Sequence, residues 1–294
     1  MAIDKTSIDK TIDKALLVKT TAGLIPSLLA ALRADGKDPD NLRPDDLMAV
    51  DQFHIRGKQA TTELADLLAK ELKPQSVILD LGAGLGGSAR YLAGRFEGSV
   101  IGLELDPDYV AAAELLTERL GLKSQVHFAI GDATAIPLSD QSVDAVWVQH
   151  LSMAIENKAQ LFAEIYRVLK PGATLVLQEI VAGSGGATLF PVPWASTPEQ
   201  SFLSSPAELL AQLEQQGLGL PESQDMSPEA LHWFERQTQS RSQPKPHSLR
   251  LSLLLGDSFA TMMQNQRRNL SEQRIGLMQL RAQRPENTLN PKPN

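Results

Sequence analysis

One stretch constrains this chain more than any other: Asp80-Leu81-Gly82-Ala83-Gly84-Leu85-Gly86-Gly87. It follows the apolar run Val77-Ile78-Leu79. A short apolar run ending in a glycine cluster reads as a strand buried on both faces that turns sharply into a helix. Glycine reaches positive φ without a Cβ penalty and lets another group approach the backbone closely. The same alternation recurs downstream. Residues 100–103, 126–130, 143–148 and 174–180 read as strands, and 87–96, 107–120 and 158–169 as helices. Strands alternating with helices predict an α/β sheet with right-handed crossovers.

Outside this alternation the pattern is helical or irregular. Residues 15–33 place Leu16, Leu17, Leu24, Leu28, Leu29 and Leu32 at helical spacing. Pro26 interrupts them, which predicts a kink or two short helices. A polar loop over 36–44 and a helix over 59–72 complete an N-terminal helical cap, 15–72, ahead of a main domain over 73–284. Lys170-Pro171-Gly172 predicts a turn. Residues 181–205 are rich in Gly, Ser and Pro and contain Phe190-Pro191-Val192-Pro193-Trp194, which predicts an ordered lid loop. Helices are expected over 206–216, 227–239 and 249–270, with strands near 219–224, against the preference of Pro221, and over 275–283. Residues 285–294 read as a disordered tail. Ile-Asp-Lys recurs at 3–5, 8–10 and 12–14, a local bias rather than an architectural repeat.

Composition narrows the chemistry. At 294 residues, 42% hydrophobic and 21% charged, the chain can bury a core without staples. It has no cysteine, which removes a disulfide framework, a Cys zinc site, an iron–sulfur cluster and a Cys nucleophile. The net charge of −7 weighs against a nucleic-acid partner. Residues 235–284 hold nine Lys/Arg against three Asp/Glu, but a single aromatic, Phe259, lies among them, so they read as solvated helix faces. No apolar run reaches the ~18 residues of a membrane span, and MAIDKTSIDKTIDK does not resemble a secretory leader. A cytoplasmic location without a membrane partner is the expectation. The oligomeric state stays open, a homodimer included.

The glycine turn fits two templates. Gly82, Gly84 and Gly87 give the G-x-G-x-x-G of dinucleotide binders. Gly82, Gly84 and Gly86 give the D-x-G-x-G-x-G of S-adenosylmethionine binders. The acids separate them. Glu104 closes the second strand and can accept hydrogen bonds from ribose hydroxyls. Asp132 follows the third strand, and Asp80 ends the first. Three carboxylates around one pocket suit a sulfonium and repel a dianionic pyrophosphate.

Over about 75–180 the chain resembles class I S-adenosylmethionine-dependent methyltransferases, through VILDLGAGLGG, VIGLELD, GDATAIPLSDQSVDAVWVQH and EIYRVLKPGATLVL. Through DQFHIRGKQAT, FPVPWA and NLSEQRIGLMQ it is similar to sarcosine/dimethylglycine N-methyltransferase-like small-molecule enzymes, with phosphoethanolamine methyltransferases as more distant relatives. The resemblance implies a Rossmann-like sheet of seven strands, the last antiparallel and inserted beside the fifth. It implies S-adenosyl-L-methionine as cofactor and a small-molecule acceptor, foremost an amine nitrogen. Carbon or oxygen methylation of a phenol or quinone, and a non-catalytic cofactor-binding protein, stay open as alternatives. It puts Asp80, Gly82 and Gly84 around the methionine part, Glu104 at the ribose, and Leu105, Asp132 and Ala133 at the adenine. Gln149 falls near the sulfonium. Two departures bear on the acceptor: Met153-Ala154-Ile155 where relatives often carry Asn, and Gln52 where they commonly carry an acid.

Methyl transfer is an in-line displacement that needs positioning more than strong acids or bases. His150, after the fourth strand, and His54, ahead of the first, are the catalytic candidates. If His150 removes a proton from the acceptor, turnover should rise with pH near ~6.5. No two histidines have metal-ligand spacing, so no metal is expected. Arg56 could take a carboxylate, and Phe190 and Trp194 could wall the acceptor pocket.

Overall fold

The computed structural model describes residues 23–219, 221–240 and 248–286. Seven strands form one sheet in the order β3-β2-β1-β4-β5-β7-β6. They are β1 Val77–Leu81, β2 Ser99–Glu104, β3 Val126–Ile130, β4 Val143–Gln149, β5 Leu169–Ala182, β6 Glu222–Asp225 and β7 Ile275–Gln283. β1 to β5 pair in parallel, while β7 runs antiparallel to β5 and to β6. The last strand therefore lies beside the fifth, as the resemblance implies. Every residue of β1 is buried, which explains its unbroken apolar run.

Helices cover both faces. Among the described residues, three lie in the N-terminal segment: α1 (Leu24–Ala34), α2 (Met48–Asp51) and α3 (Gly57–Asp66). The crossovers are α4 (Gly87–Phe96), α5 (Pro107–Arg119) and α6 (Lys158–Val168). The C-terminal part adds α7 (Pro206–Gln215), α8 (Ser227–Ser240), α9 (Ser252–Leu255) and α10 (Phe259–Ser271). Sequence chemistry sets several boundaries. Asp106 caps α5 by accepting from the Asp108 N–H at 2.8 Å, with Pro107 at its first position. Ser205 and Glu208 form a capping box on α7. Trp147 and Phe162 are fully buried on the two faces of the sheet. Each such side chain contributes roughly 1.5–3 kcal/mol over leaving it exposed.

The N-terminal helices are not a separate body. Leu64 and Ala65 of α3 pack among Ile78, Val100 and Trp147 of the sheet. Leu28 and Leu32 of α1 pack with Leu85 and Leu116.

Several expectations need correction. The helix expected over 59–72 ends at Asp66, and a run of turns follows. Pro26 does not kink α1, because it falls in the first turn, where the missing N–H has no intrahelical acceptor. Lys170-Pro171-Gly172 lies inside β5, where the register against β4 shifts between Val143 and Ala145. The helix expected over 249–270 is broken into α9 and α10 by Gly256, with φ 66°. The predicted helix over 15–22 and the tail from 287 onward lie outside the described residues. Among the described residues, no helix is long and apolar enough to cross a membrane.

Candidate active site

The carboxyl ends of β1, β2 and β4 open into a cavity of about 640 Å³. Ligands of open parallel sheets sit at this edge. Its walls come from five places: the 50–55 segment, the glycine turn, the end of β2 with the start of α5, the end of β4, and a C-terminal group reaching from Pro193 to Gln266.

The glycine turn forms the floor. Gly82, Gly84 and Gly86 have φ of 72°, 54° and 81°. The amides of Gly82 and Ala83 both donate to the Leu103 carbonyl, at 2.9 and 3.2 Å, tying the turn to β2. Each glycine answers a different constraint. A Cβ on Gly86 would meet the Phe128 ring at 2.4 Å, and one on Gly87 would meet the Asp51 carbonyl at 1.8 Å. A Cβ on Gly84 would meet nothing within 4 Å, since it points into open space. Gly84 lines the cavity, so a ligand can lie against its bare backbone.

Two carboxylates face this floor. Asp80 is 2% exposed, and its Oδ2 has no hydrogen-bond partner. Burial, reinforced by the charge of Glu104, raises its pKa to about 7. A buried carboxylate oxygen without a partner costs stability unless a ligand group pairs with it. Glu104 accepts from the Gly84 N–H at 2.9 Å through one oxygen, and from the Leu105 and Asp106 N–H groups at 2.8 and 3.1 Å through the other. It thus shapes the turn as well as facing the cavity.

Opposite the glycines stand the two histidines, with ring centroids 6.0 Å apart and planes at 75°. His54 Nε2 lies 3.0 Å from the Gly57 carbonyl and 2.9 Å from Thr61 Oγ1. A carbonyl only accepts, so Nε2 carries the proton and Nδ1 is the bare nitrogen. Gln52 accepts from Thr61 at 2.6 Å, so it acts through Thr61 on His54. His150 sits at φ 57°, an uncommon left-handed position for a non-glycine residue. Its Nε2 is buried without a partner. Burial lowers His54 to about 4 and His150, helped by His54, to about 3. Both rings are therefore already neutral at pH 6.5, which corrects the expected rise of turnover in that range.

The turn carrying His150 is fixed from below. Glu179 on β5 is fully buried and accepts from the Leu151 and Ser152 N–H groups, both at 3.1 Å. Gln149 donates to Gln178 at 2.9 Å and accepts from Ser88 of α4 at 3.2 Å, linking β4, β5 and the first turn after the glycines.

The C-terminal wall is largely apolar: Trp194, Trp233, Leu251, Leu254, Leu255 and Met263. Trp194 stands at the tip of a tight turn closed by Val192 and Ala195, and its Nε1 donates to Ser201 at 2.9 Å. Helix α10 holds that loop in place. Asn265 donates to the Pro191 carbonyl at 3.0 Å, and Asn269 pairs with both the N–H and the carbonyl of Leu189, at 2.8 and 3.0 Å.

Of the residues singled out from sequence, Asp80, Gly82, Gly84, Glu104, Gln149, His150, His54 and Trp194 line this one cavity. Leu105, Asp132 and Ala133 stand outside it, on the same edge of the sheet; Leu105 is 68% exposed and Asp132 is exposed. Phe190 does not line the cavity. Arg56 does not either; it is buried and pairs with Glu63 at 2.7 Å. Sequence reasoning missed Asp51, Glu179, Trp233, Met263 and Gln266. Asp51 pairs with Arg90 at 2.6 Å and docks the 48–56 segment on α4. Apart from Asp51, which opens the DQFHIRGKQAT motif, these residues carry no local motif, so only the fold assembles them.

Known proteins resemble this chain both in sequence and in fold. Residues 79–177 match the family model described as a methyltransferase domain. Phosphoethanolamine N-methyltransferase 3 of Arabidopsis thaliana is 32% identical over 42% of this chain and 24% of its own length. The probable chloroplastic tocopherol O-methyltransferase of Oryza sativa subsp. japonica is 36% identical over 36% of this chain and 29% of its own. The chain thus spans less than a third of the length of these curated relatives. Phosphoethanolamine N-methyltransferase 2 of Haemonchus contortus, solved with S-adenosyl-L-methionine, superposes with a TM-score of 0.66 at 21% identity, covering 83% of this chain and 58% of that one. The fold is the one seen in that solved methyltransferase, and residues 79–177 match the methyltransferase-domain model.

Proposed function

We propose that this protein binds S-adenosyl-L-methionine and transfers its methyl group to a small-molecule acceptor. The observation that carries the reading is the buried, unpartnered Oδ2 of Asp80 beside the bare backbone of Gly84, both on one cavity. A cationic amino-acid end pairs with that oxygen, and the cofactor's body fits where no Cβ intrudes. Bound there, the cofactor supplies an electrophilic methyl group on a good leaving group.

The chain's residues do the rest. Glu104 faces the ribose, and each of its oxygens has two acceptor positions, so capacity remains beyond its three backbone donors. Leu105 covers one face of the adenine, with Asp132 and the Ala133 backbone at its edge. Gln149 stays close to the reacting centre through its ties to Gln178 and Ser88. His150 presents Nε2 toward the acceptor. With a pKa near 3 it is a weak base, so its contribution is to orient a neutral nucleophile rather than to deprotonate a charged one. The apolar wall excludes water and holds the acceptor in line.

The test is direct. Purified protein is titrated with S-adenosylmethionine, then screened for release of S-adenosylhomocysteine with amines, phenols, quinols and carboxylates. Saturable binding with turnover of one acceptor class is expected. No binding by folded protein rejects the reading, and binding without turnover across the screen favours a cofactor-binding protein that is not an enzyme.

A further inference from the structure

The two halves of the cavity differ in charge, and that difference selects the acceptor. The glycine-turn half holds Asp80, Glu104 and Asp106. The opposite half holds indole, aliphatic and thioether side chains. No lysine or arginine lines the cavity among the described residues. The buried guanidiniums of this region are engaged elsewhere. Arg90 pairs with Asp51 and donates to Thr117 at 3.0 Å, and Arg56 pairs with Glu63. Arg56 keeps one unpartnered Nη1, but it is not part of the cavity wall.

An acceptor with a phosphate or carboxylate would lose its hydration here without gaining a counter-charge from any described residue that lines the cavity, and it would face three acids. An apolar body gains instead from contact with Trp194, Trp233, Leu254 and Met263. One polar group interrupts this wall. Gln266 is 3% exposed, lines the cavity, and its side chain has no hydrogen bond to any described residue. Met263 and Gln266 are three residues apart on α10, so they share a helix face. An amide on the cavity wall can both donate to and accept from a polar group of a ligand.

Resting on the methyltransferase reading, we propose that the acceptor carries no phosphate or carboxylate and has an apolar body longer than a small amino acid. Trp194, Trp233 and Leu254 hold that body, and the Gln266 amide bonds a single polar group on it. The reacting atom then points toward Gln149 and His150. The same chemistry disfavours sarcosine and phosphoethanolamine as acceptors.

The probes are 4-alkylphenols from 4-methylphenol to 4-nonylphenol, with sarcosine and phosphoethanolamine as charged counterparts. Each is titrated calorimetrically into the full chain, with and without saturating S-adenosylhomocysteine. Affinity should rise about three- to fourfold per added methylene until the cavity is filled. Gln266→Leu should weaken phenol binding by about tenfold, and Leu254→Arg should remove the chain-length dependence. Both variants should keep the wild-type affinity for S-adenosylhomocysteine. Affinity that is flat along the series, a chain-length dependence that survives Leu254→Arg, or tighter binding of either charged probe overturns the proposal. Failure to bind S-adenosylhomocysteine rejects the methyltransferase reading instead; the titrations without it still decide what the wall accepts.

Discussion

The cofactor side and the acceptor side of the cavity are built by different means. On the cofactor side, backbone does the positioning. Three glycines at positive φ, a strand end and a carboxylate bonded to three N–H groups fix the floor within 25 residues of chain, 80–104. On the acceptor side, side chains do it. Trp194, Trp233, Leu254, Met263 and Gln266 come from a loop and three helices and meet only because α10 staples the 189–191 backbone. The first construction tolerates few residue types at each position. The second accepts many, so its chemistry can change while the floor stays the same.

Substitutions on each side should therefore separate cleanly. The largest effect is expected at Gly84. Gly84→Val places a branched side chain at φ 54° and into the ligand's space, and should weaken S-adenosylmethionine binding by at least ~100-fold. Circular dichroism should show the sheet intact, and alkylphenol affinity should be unchanged. A variant that keeps cofactor affinity would mean the turn only shapes the fold.

Next comes Asp80, whose pKa is raised from 3.8 to about 7. Its carboxylate ionises as pH rises through about 7, so affinity for the cationic cofactor should climb up to that pH and level off above it. Asp80→Asn should weaken binding by roughly 10- to 100-fold, the scale of a hydrogen bond between charged groups, and should flatten that pH dependence. The linked effect on the free protein has the opposite sign. Folded Asp80 holds its proton more tightly than the unfolded chain does, so its burial lowers stability as pH rises from about 4 to 7. Cofactor-induced thermal stabilisation should grow across the same window. A profile that is identical in wild type and Asp80→Asn would remove Asp80 from the cofactor contact.

A smaller loss is expected on the other side. Trp233→Ala should cost an apolar acceptor about tenfold in KM through lost contact area, with cofactor affinity within about twofold of wild type. Equal losses for both ligands would dissolve the distinction between the sides. The smallest effect belongs to His150→Ala. A neutral ring that only orients should cost a few-fold in turnover, not the ~10²-fold or more of a general base, and should leave no break in the pH–rate profile near 6.5. A hundredfold loss with such a break would restore His150 as the base.

The same contrast explains what could be read from the chain. The parallel strands and the floor residues follow from patterns that local physics makes rigid: a buried apolar strand, glycines in a tight turn, an acid at a strand end. The antiparallel β7 beside β5 was implied by the family resemblance and not by periodicity. The break at Gly256 was hidden because apolar residues continue on both sides of it, Leu253 to Leu255 before and Phe259, Met262 and Met263 after, and the register shift at Lys170-Pro171-Gly172 looks in sequence like an ordinary turn. The acceptor wall was legible only at Trp194, where the prolines mark a loop. Trp233 and Gln266 sit in unremarkable helices, and Glu179 lies within an apolar strand. Their roles come from long-range packing that no window of sequence contains. The neutral histidines were equally hidden, because only burial shifts them.

The central claim is that the Asp80–Gly84 floor receives a sulfonium cofactor. Calorimetric titration of the full chain with S-adenosylmethionine at pH 8, repeated with Gly84→Val, tests it most directly. Saturable one-site binding that the substitution abolishes is the predicted result. A folded wild-type protein that takes up no S-adenosylmethionine, or a Gly84→Val variant that binds it as tightly as wild type, would contradict the account.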